Sequence, residues 1–147
     1  MVVGDAYDNE IIRIVSPLNT GNSGHTYEGI LKVVVHEFVH IVASKINNLK
    51  RSFVLSEGIA VYESGQMSSS SVNLELLPNS IEEMFSWSTN NNPGGMYSCG
   101  GSFVAFIVEN YGYDKFIELY KRDYSNKVFD NDIREIYNKW IESIRNS

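Results

Sequence analysis

The segment from Ile30 to Ile46 is hydrophobic, and its apolar residues recur at nearly every position around a helix. This pattern is typical of a helix that is buried on most of its faces. Asn47 and Asn48 follow it and favour the end of the helix. Upstream, the β-branched run EIIRIVSP predicts a short strand over Ile11 to Val15. The proline that ends this run places the strand at the edge of a small sheet.

Polar stretches separate these two elements from each other and from a second helix. Turn-forming residues fill the segment from Leu18 to Gly29, which predicts a loop before the long helix. After the long helix, SFVLSEGIAVYESGQ predicts a second helix with Ser56 as its N-cap. The stretch MSSSSVNLELLPN that follows predicts another polar loop.

Helical patterns dominate the chain from Ser80 onward. Ser80 and Glu83 form a capping box for the short helix SIEEMFSW. The stretch STNNNPGG predicts a loop, and SCGGSFVAFIVENYG predicts an apolar helix that ends at Gly112. Two amphipathic helices follow, YDKFIELYKRDY and DNDIREIYNKWIESIRN, the second with Asp130 as its cap. Its apolar residues at helical spacing are Ile133, Ile136, Tyr137, Trp140, Ile141 and Ile144.

These elements predict one α+β domain, mainly α, over residues 1–147. A short strand and loop region covers residues 1–29, two helices cover residues 30–66, and a helical lobe covers residues 80–147. A chain of 147 residues is long enough to bury a hydrophobic core. The pattern alone leaves the oligomeric state open.

Composition and charge narrow the classes of function. The net charge is −6, and the 12 lysines and arginines form no cluster that could neutralise phosphates, so we expect no nucleic-acid partner. No run of 18 or more apolar residues occurs, so the sequence predicts no transmembrane segment. The single cysteine, Cys99, excludes an intrachain disulfide and fits a reducing compartment. We therefore expect a cytoplasmic protein, or an exported one if a signal peptide has been removed, since MVVGDAYDNE is too polar for a signal peptide.

The segment VVVHEFVH carries the strongest chemical signal. It places His36 and His40 one turn apart on one face of an apolar helix. Two imidazoles in such surroundings are costly unless each finds a polar partner, and a zinc ion between them meets that need. Glu37 lies about 100° around the helix from His36, where it suits a general base better than a ligand, as in the H-E-x-x-H motif. The alternative is two core histidines that bond to backbone carbonyls.

A zinc site with two histidines needs a third protein ligand. Cys99 stands alone, and His25 lies in a glycine-rich loop, where we expect a solvated side chain. Glu57 follows His40 at a distance that lets one helix end and a second return against it, and Gly58 leaves room for the two helices to approach. The Glu57 carboxylate could instead stabilise the N-terminus of its own helix, and spacing alone does not decide between these roles.

The segments HEFVH and LSEGIAVYES together resemble the motifs of the gluzincin metallopeptidases, in the peptidase-MA-like branch related to aminopeptidase N. Members of that branch read HE-x-x-H and then W-L-x-E-G-x-A-x-Y, and the second motif is matched here by Glu57, Gly58, Ala60 and Tyr62. The resemblance implies a zincin-like fold, in which a small N-terminal β-sheet packs on the HExxH helix and a helical C-terminal lobe follows. It also implies one zinc ion per chain, bound by His36, His40 and Glu57.

A further likeness involves a tyrosine before an apolar helix. The segment MYSCGGSFVAFIVENYGYDKF is similar to a pattern in the aminopeptidase-like relatives, whose tyrosine donates its hydroxyl to the oxyanion of the reaction. The resemblance therefore implies that Tyr97 stabilises the oxyanion. The alternative is that Tyr97 only packs at the start of the helix. The likeness runs from about Val33 to Tyr120.

The activity that the resemblance implies is zinc-dependent hydrolysis of a peptide or amide bond, with Glu37 as the general base and a peptide or protein as substrate. The glycine-rich GAMEN-like motif that holds a free amine in aminopeptidases is absent, so exopeptidase activity is not implied. The strand at Ile11 to Val15 could bind an extended peptide by strand addition, and the loop STNNNPGG could shape the cleft. Manganese or cobalt could occupy the same ligands. The alternatives are a non-catalytic zinc-binding domain that acts as a protein-interaction module, and a metal-free helical interaction domain.

Overall fold

Two short strands come first in the structure, a computed structural model that describes residues 4–7, 11–16, 18–21, 24–46, 52–67, 72–122 and 132–146. Strand β1 (Gly4–Tyr7) pairs antiparallel with β2 (Ile11–Ile14), with Gly4 opposite Ile14. The predicted strand is therefore confirmed as β2. Its partner β1 was missed, because GDAY lacks the β-branched residues that predict a strand.

The first helix, α1, spans Tyr27–Ile46 and begins three residues before the predicted start at Ile30. The Thr26 hydroxyl accepts a hydrogen bond of 3.1 Å from the backbone N–H of Gly29, so the first turn is capped inside the predicted loop. The predicted loop was thus wrong over its last three residues. The predicted stop at Asn47 and Asn48 lies outside the described residues.

The second helix, α2, spans Phe53–Glu63, and its N-cap is Ser52 rather than Ser56. The Ser52 hydroxyl accepts a 3.4 Å hydrogen bond from the Leu55 backbone N–H. The prediction of Ser56 as the cap was wrong because the apolar residues before it already belong to the helix. Ser56 is buried in the second turn, where its hydroxyl faces α1 instead of the helix end.

A 3₁₀ turn (Leu74–Leu76) interrupts the predicted polar loop, and the short helix α3 spans Ile81–Ser86. The cap predicted at Ser80 is confirmed, since its hydroxyl accepts a 3.1 Å hydrogen bond from the Glu83 backbone N–H. The Glu83 carboxylate accepts from the backbone N–H of Asn79, one residue before the cap.

The long apolar helix, α4, spans Pro93–Tyr111, so the predicted loop STNNNPGG was wrong over its last three residues. The Asn92 side chain caps the helix by accepting a 3.0 Å hydrogen bond from the Gly95 backbone N–H, and proline suits the first helical turn. The end predicted at Gly112 is confirmed, and its φ of +85° explains why glycine stands there. Tyr97 consequently lies inside α4 and not before it.

Two amphipathic helices complete the fold, α5 (Tyr113–Lys121) and α6 (Ile133–Arg145). The N-cap of α6 is Asp132, whose carboxylate accepts a 2.9 Å hydrogen bond from the Arg134 backbone N–H. The predicted cap, Asp130, lies outside the described residues. The predicted apolar face of α6 is confirmed, because five of its residues are buried and Ile144 packs against the core.

The core of the described residues forms where α2, α3, α5 and α6 pack around α4. A Cβ atom built at Gly58 would lie only 2.5 Å from the carbonyl oxygen of Gly100, so glycine permits a very close crossing of α2 and α4. The prediction that Gly58 makes room for the zinc-binding helix was therefore wrong, since the close approach is to α4. Among the described helices, none is long and apolar enough to cross a membrane.

The β-hairpin lies against α1. A Cβ atom at Gly4 would fall 2.5 Å from the Val33 side chain and 3.4 Å from the Glu37 side chain. The structure is thus mainly helical, with a small two-stranded antiparallel sheet on the side of α1 that carries Glu37.

Candidate metal centre

Three polar side chains converge where α1 faces α2. The Nε2 atoms of His36 and His40 lie 3.1 Å apart. The Glu57 carboxylate contacts both, with Oε2 at 3.2 Å from His36 Nε2 and Oε1 at 3.4 Å from His40 Nε2. The chain therefore brings together two imidazoles and a carboxylate that could hold a metal ion, as a group of three potential ligands.

The spacing of these donor atoms fits a metal ion. A tetrahedral zinc site with bonds of about 2.0–2.1 Å separates its donor atoms by about 3.3–3.4 Å. The closest contacts here are 3.1, 3.2 and 3.4 Å, the last two to different oxygens of the Glu57 carboxylate, and one donor atom from each residue lies within 4.8 Å of the others. Two imidazole nitrogens and one carboxylate oxygen are also a donor set that zinc commonly takes in proteins with one position left open. The residues present therefore fit a zinc ion.

Helix geometry explains why the ligands meet. His36 and His40 are four residues apart on α1, which stacks their rings on one face, and the ring centroids are 4.8 Å apart. Because the cap of α2 is Ser52, Glu57 lies in the second turn and points sideways at α1. The alternative role for Glu57, as a carboxylate that stabilises its own helix N-terminus, does not fit that position.

The two histidines keep the Glu57 carboxylate ionised. Burial alone would raise the pKa of Glu57, but hydrogen bonds and charge interactions with His36 and His40 outweigh burial and lower the pKa to about 2. Glu57 is therefore an anion at neutral pH. An anionic carboxylate beside two Nε2 atoms is the form that a divalent cation requires.

Ser56 contacts the His40 ring on the side away from Glu57. Its hydroxyl oxygen lies 3.4 Å from Nδ1 of His40, the nitrogen that does not face Glu57. If Nδ1 donates its hydrogen to Ser56, the lone pair of Nε2 is turned toward the site. The other two buried serines behave differently: the hydroxyls of Ser44 and Ser64 donate to carbonyls of their own helices. Nδ1 of His36 is buried without a hydrogen-bond partner among the described residues.

Glu37 lies beside the three potential ligands and is not one of them. Its side chain is buried between α1 and β1, where the backbone N–H of Ala6 donates to the carboxylate. Burial raises the pKa of Glu37, and the Glu57 carboxylate acts in the same direction, against the opposing effects of His36, His40 and Ala6. The structure thus places a second carboxylate at the edge of the site, held by β1.

Tyr97 reaches the site from α4. Its ring centroid lies 6.1 Å from that of His36, and the phenol is 42% exposed. Burial of the hydroxyl raises its pKa, and the Glu57 and Glu37 carboxylates and a hydrogen bond with Glu57 raise it further. The hydroxyl is consequently protonated at neutral pH and can act as a hydrogen-bond donor in the cleft that it shares with Glu57.

A cleft of about 300 Å³ connects these groups to solvent. Its lining comes from β1, α1, α2 and α4, and it comprises Gly4, Asp5, Ala6, His36, Glu37, His40, Phe53, Ser56, Glu57 and Tyr97. The strand that lines the cleft is therefore β1, whereas the sequence pointed to β2. The exposed Phe53 at the rim, the Ser56 contact with His40 and the Ala6 contact with Glu37 were all missed, because each depends on packing between elements.

The two residues that the sequence disfavoured as third ligands, His25 and Cys99, lie outside the site. His25 is exposed before α1 and is not part of the metal-binding group found in the described residues. Cys99 is fully buried in the core, where its thiol donates to the Leu76 carbonyl oxygen. Comparisons of the chain with protein-family models, with curated proteins and with solved structures gave no match.

Proposed function

We propose that this protein is a zinc-dependent metallopeptidase of the gluzincin type, with a zincin-like arrangement of the hairpin on α1. The observation that carries the proposal is the convergence of His36, His40 and Glu57, with Glu37 at the edge of the same cleft. A structural zinc site has four protein ligands. Here a closed site would need a fourth, and the group found in the described residues contains three.

Zinc is the metal that this donor set favours, since imidazole nitrogen with carboxylate oxygen suits it. When bound, it lowers the pKa of a coordinated water toward about 7 and polarises the carbonyl group under attack. Nε2 of His36, Nε2 of His40 and the Glu57 carboxylate would hold the zinc ion. Ser56 keeps the Nε2 atom of His40 pointed at it through Nδ1.

Glu37 and Tyr97 perform the proton transfer and the charge stabilisation. The Glu37 carboxylate accepts a proton from the attacking water and then delivers it to the nitrogen of the leaving amine. The Tyr97 hydroxyl donates a hydrogen bond to the oxyanion that develops on the carbonyl. Glu37 and Tyr97 both line the one cleft, which supports these roles.

The peptide lies along β1 in this proposal. The strand borders the cleft through Gly4, Asp5 and Ala6, so an extended peptide beside it can form strand-like hydrogen bonds with backbone groups other than the Ala6 N–H, which donates to Glu37. Phe53 and Tyr97 flank the opening with exposed aromatic rings. Both features suit a peptide or protein substrate rather than a small polar molecule.

Cleavage of a library of quenched fluorescent peptides by the zinc-loaded protein tests the proposal directly. We expect cleavage by the wild type and a loss of at least about 10³-fold in Glu37→Gln, with zinc content unchanged in both. Glu109→Gln, an exposed carboxylate on α4, is the matched control and should cleave normally. Equal turnover in Glu37→Gln would remove Glu37 from the mechanism, and absence of cleavage by zinc-loaded wild type would support the non-catalytic binding module.

A further inference from the structure

One face of α1 is apolar and open to solvent. Its exposed apolar residues are Leu31, Val35, Phe38 and Val42, with exposures of 42, 43, 55 and 45%. They follow one another at intervals of four, three and four residues. This interval places them on a single stripe, which we call the α1 seam.

The spacing of the α1 seam indicates the kind of partner. Apolar residues at alternating intervals of four and three are the a and d positions of a heptad, which pack against another helix. The side chains of a strand alternate between its two faces with a period of two residues, and the α1 seam does not have this period. The seam therefore fits a helix.

The sequence of α1 is self-complementary along this seam. If two copies of α1 run antiparallel about a two-fold axis between His36 and Glu37 in sequence, Leu31 meets Val42 and Val35 meets Phe38 of the other copy. The next heptad positions on either side of the seam are Glu28 and Lys45. Glu28 of one copy meets Lys45 of the other copy at each end of the helix pair. Each seam then has four apolar layers closed by an ion pair at either end.

We propose that the protein forms a dimer in which α1 packs antiparallel against α1 of a second copy. The two-fold pattern matches every seam residue with a complementary one, which is the requirement of an isologous interface. A helix from an unrelated partner would have no reason to mirror this order of acidic, apolar and basic positions.

The surface beside the seam enlarges this interface. A groove of about 410 Å³ runs between α1 and α5 and is lined by Val35, Phe38 and Val42 together with Tyr113 and Ile117. The exposed apolar surface of the seam and groove is on the order of 500 Å² per copy, so the dimer buries roughly 1,000 Å². That area lies at the lower end for a specific dimer.

The dimer leaves the metal centre accessible. At 100° per residue, the middle of the seam lies about 130° around α1 from His36, and the cleft is lined on its other sides by β1, α2 and α4. Dimerisation and metal binding are therefore separable. This inference does not rest on the proposed peptidase activity.

Sedimentation velocity of the full chain from about 1 to 200 μM tests the proposal. We expect a species of twice the 16.6 kDa chain mass, whose dissociation constant rises at least about 30-fold in Phe38→Glu. Leu74→Glu, which replaces an apolar residue of similar exposure (59%) on the 3₁₀ turn, should dimerise normally. Circular dichroism and zinc content should match the wild type in both variants.

A charge exchange tests the antiparallel register. Glu28→Lys and Lys45→Glu should each weaken the dimer, and the double variant should restore it, because the two positions pair with each other across the axis. A wild type that stays monomeric at 200 μM would overturn the proposal. So would a dimer that is as strong in Phe38→Glu as in the wild type. Single charge variants that the exchange does not rescue would refute the α1 pairing.

Discussion

Nε2 of His36 and Oε2 of Glu57 lie 3.2 Å apart although 21 residues separate them in the sequence. The contact links the long helix α1 to α2, and α2 in turn crosses α4 closely at Gly58. The candidate metal centre thus combines side chains from α1 and α2, and its geometry depends on how these helices pack. We therefore expect residues remote from His36, His40 and Glu57 to affect metal binding.

Replacing Glu57 with glutamine should remove metal binding without unfolding the chain. The amide keeps the shape of the side chain but loses the negative charge and one acceptor oxygen beside the two histidines. We expect zinc affinity to fall by at least about 100-fold, measured by competition with a chelator of known affinity. Unchanged affinity would show that Glu57 is not a ligand.

Ser56→Ala should weaken zinc binding by about tenfold, because it removes the hydroxyl that lies 3.4 Å from Nδ1 of His40 and leaves that ring free to change orientation. Ser56→Thr keeps a hydroxyl and should retain most of the affinity. Ser44→Ala and Ser64→Ala are matched controls, since their buried hydroxyls bond only to helix carbonyls. If all three alanine variants lose affinity equally, the effect is structural and the role of Ser56 is refuted.

Gly58→Ala should destabilise the fold by about 3 kcal/mol. The new methyl group would lie 2.5 Å from the carbonyl oxygen of Gly100, so α2 and α4 must move apart. Urea denaturation measures the loss. Gly94→Ala in the first turn of α4 is the control, because its methyl group meets no atom within 4 Å and should leave stability unchanged or slightly higher. Equal stability of the two variants would contradict the close crossing.

The Cys99 thiol should be almost unreactive in the folded protein. Burial raises its pKa to about 11, which cuts the thiolate fraction at pH 8 by about 100-fold relative to an ordinary thiol. Reaction with a disulfide reagent at pH 8 should therefore be at least that much slower than in urea-unfolded chain, and should accelerate as the pH rises toward 11. Rapid reaction at pH 8 would show that the core around Cys99 opens readily.

The local part of the site follows from sequence, and the assembled part does not. His36 and His40 are on one face of a helix because the four-residue interval requires it. The sequence spacing left two possible roles for Glu57. Only the packing of α2 beside α1 brings its carboxylate to the histidines. Tyr97 lies inside α4 and not before it, because Asn92 caps the helix and Pro93 begins it. The sequence instead predicted a loop that continued through Gly94 and Gly95.

The missed features share one physical cause. Strand β1 has little intrinsic preference for extended structure and exists through its pairing with β2 and its contact with α1. Ser56 resembled an N-cap in sequence, yet Val54 and Leu55 before it are buried as helical residues. In each case tertiary contacts, which a single sequence does not reveal, outweighed the local signal.

The metal content of the purified protein, compared with that of His40→Ala, tests the central claim most directly. Elemental analysis after zinc loading and removal of excess metal should give about one zinc ion per chain for the wild type and almost none for the variant. Circular dichroism should show that both chains are folded. A folded wild type that binds no metal would contradict the account, because the three converging side chains would then be only a hydrogen-bonded group between two helices.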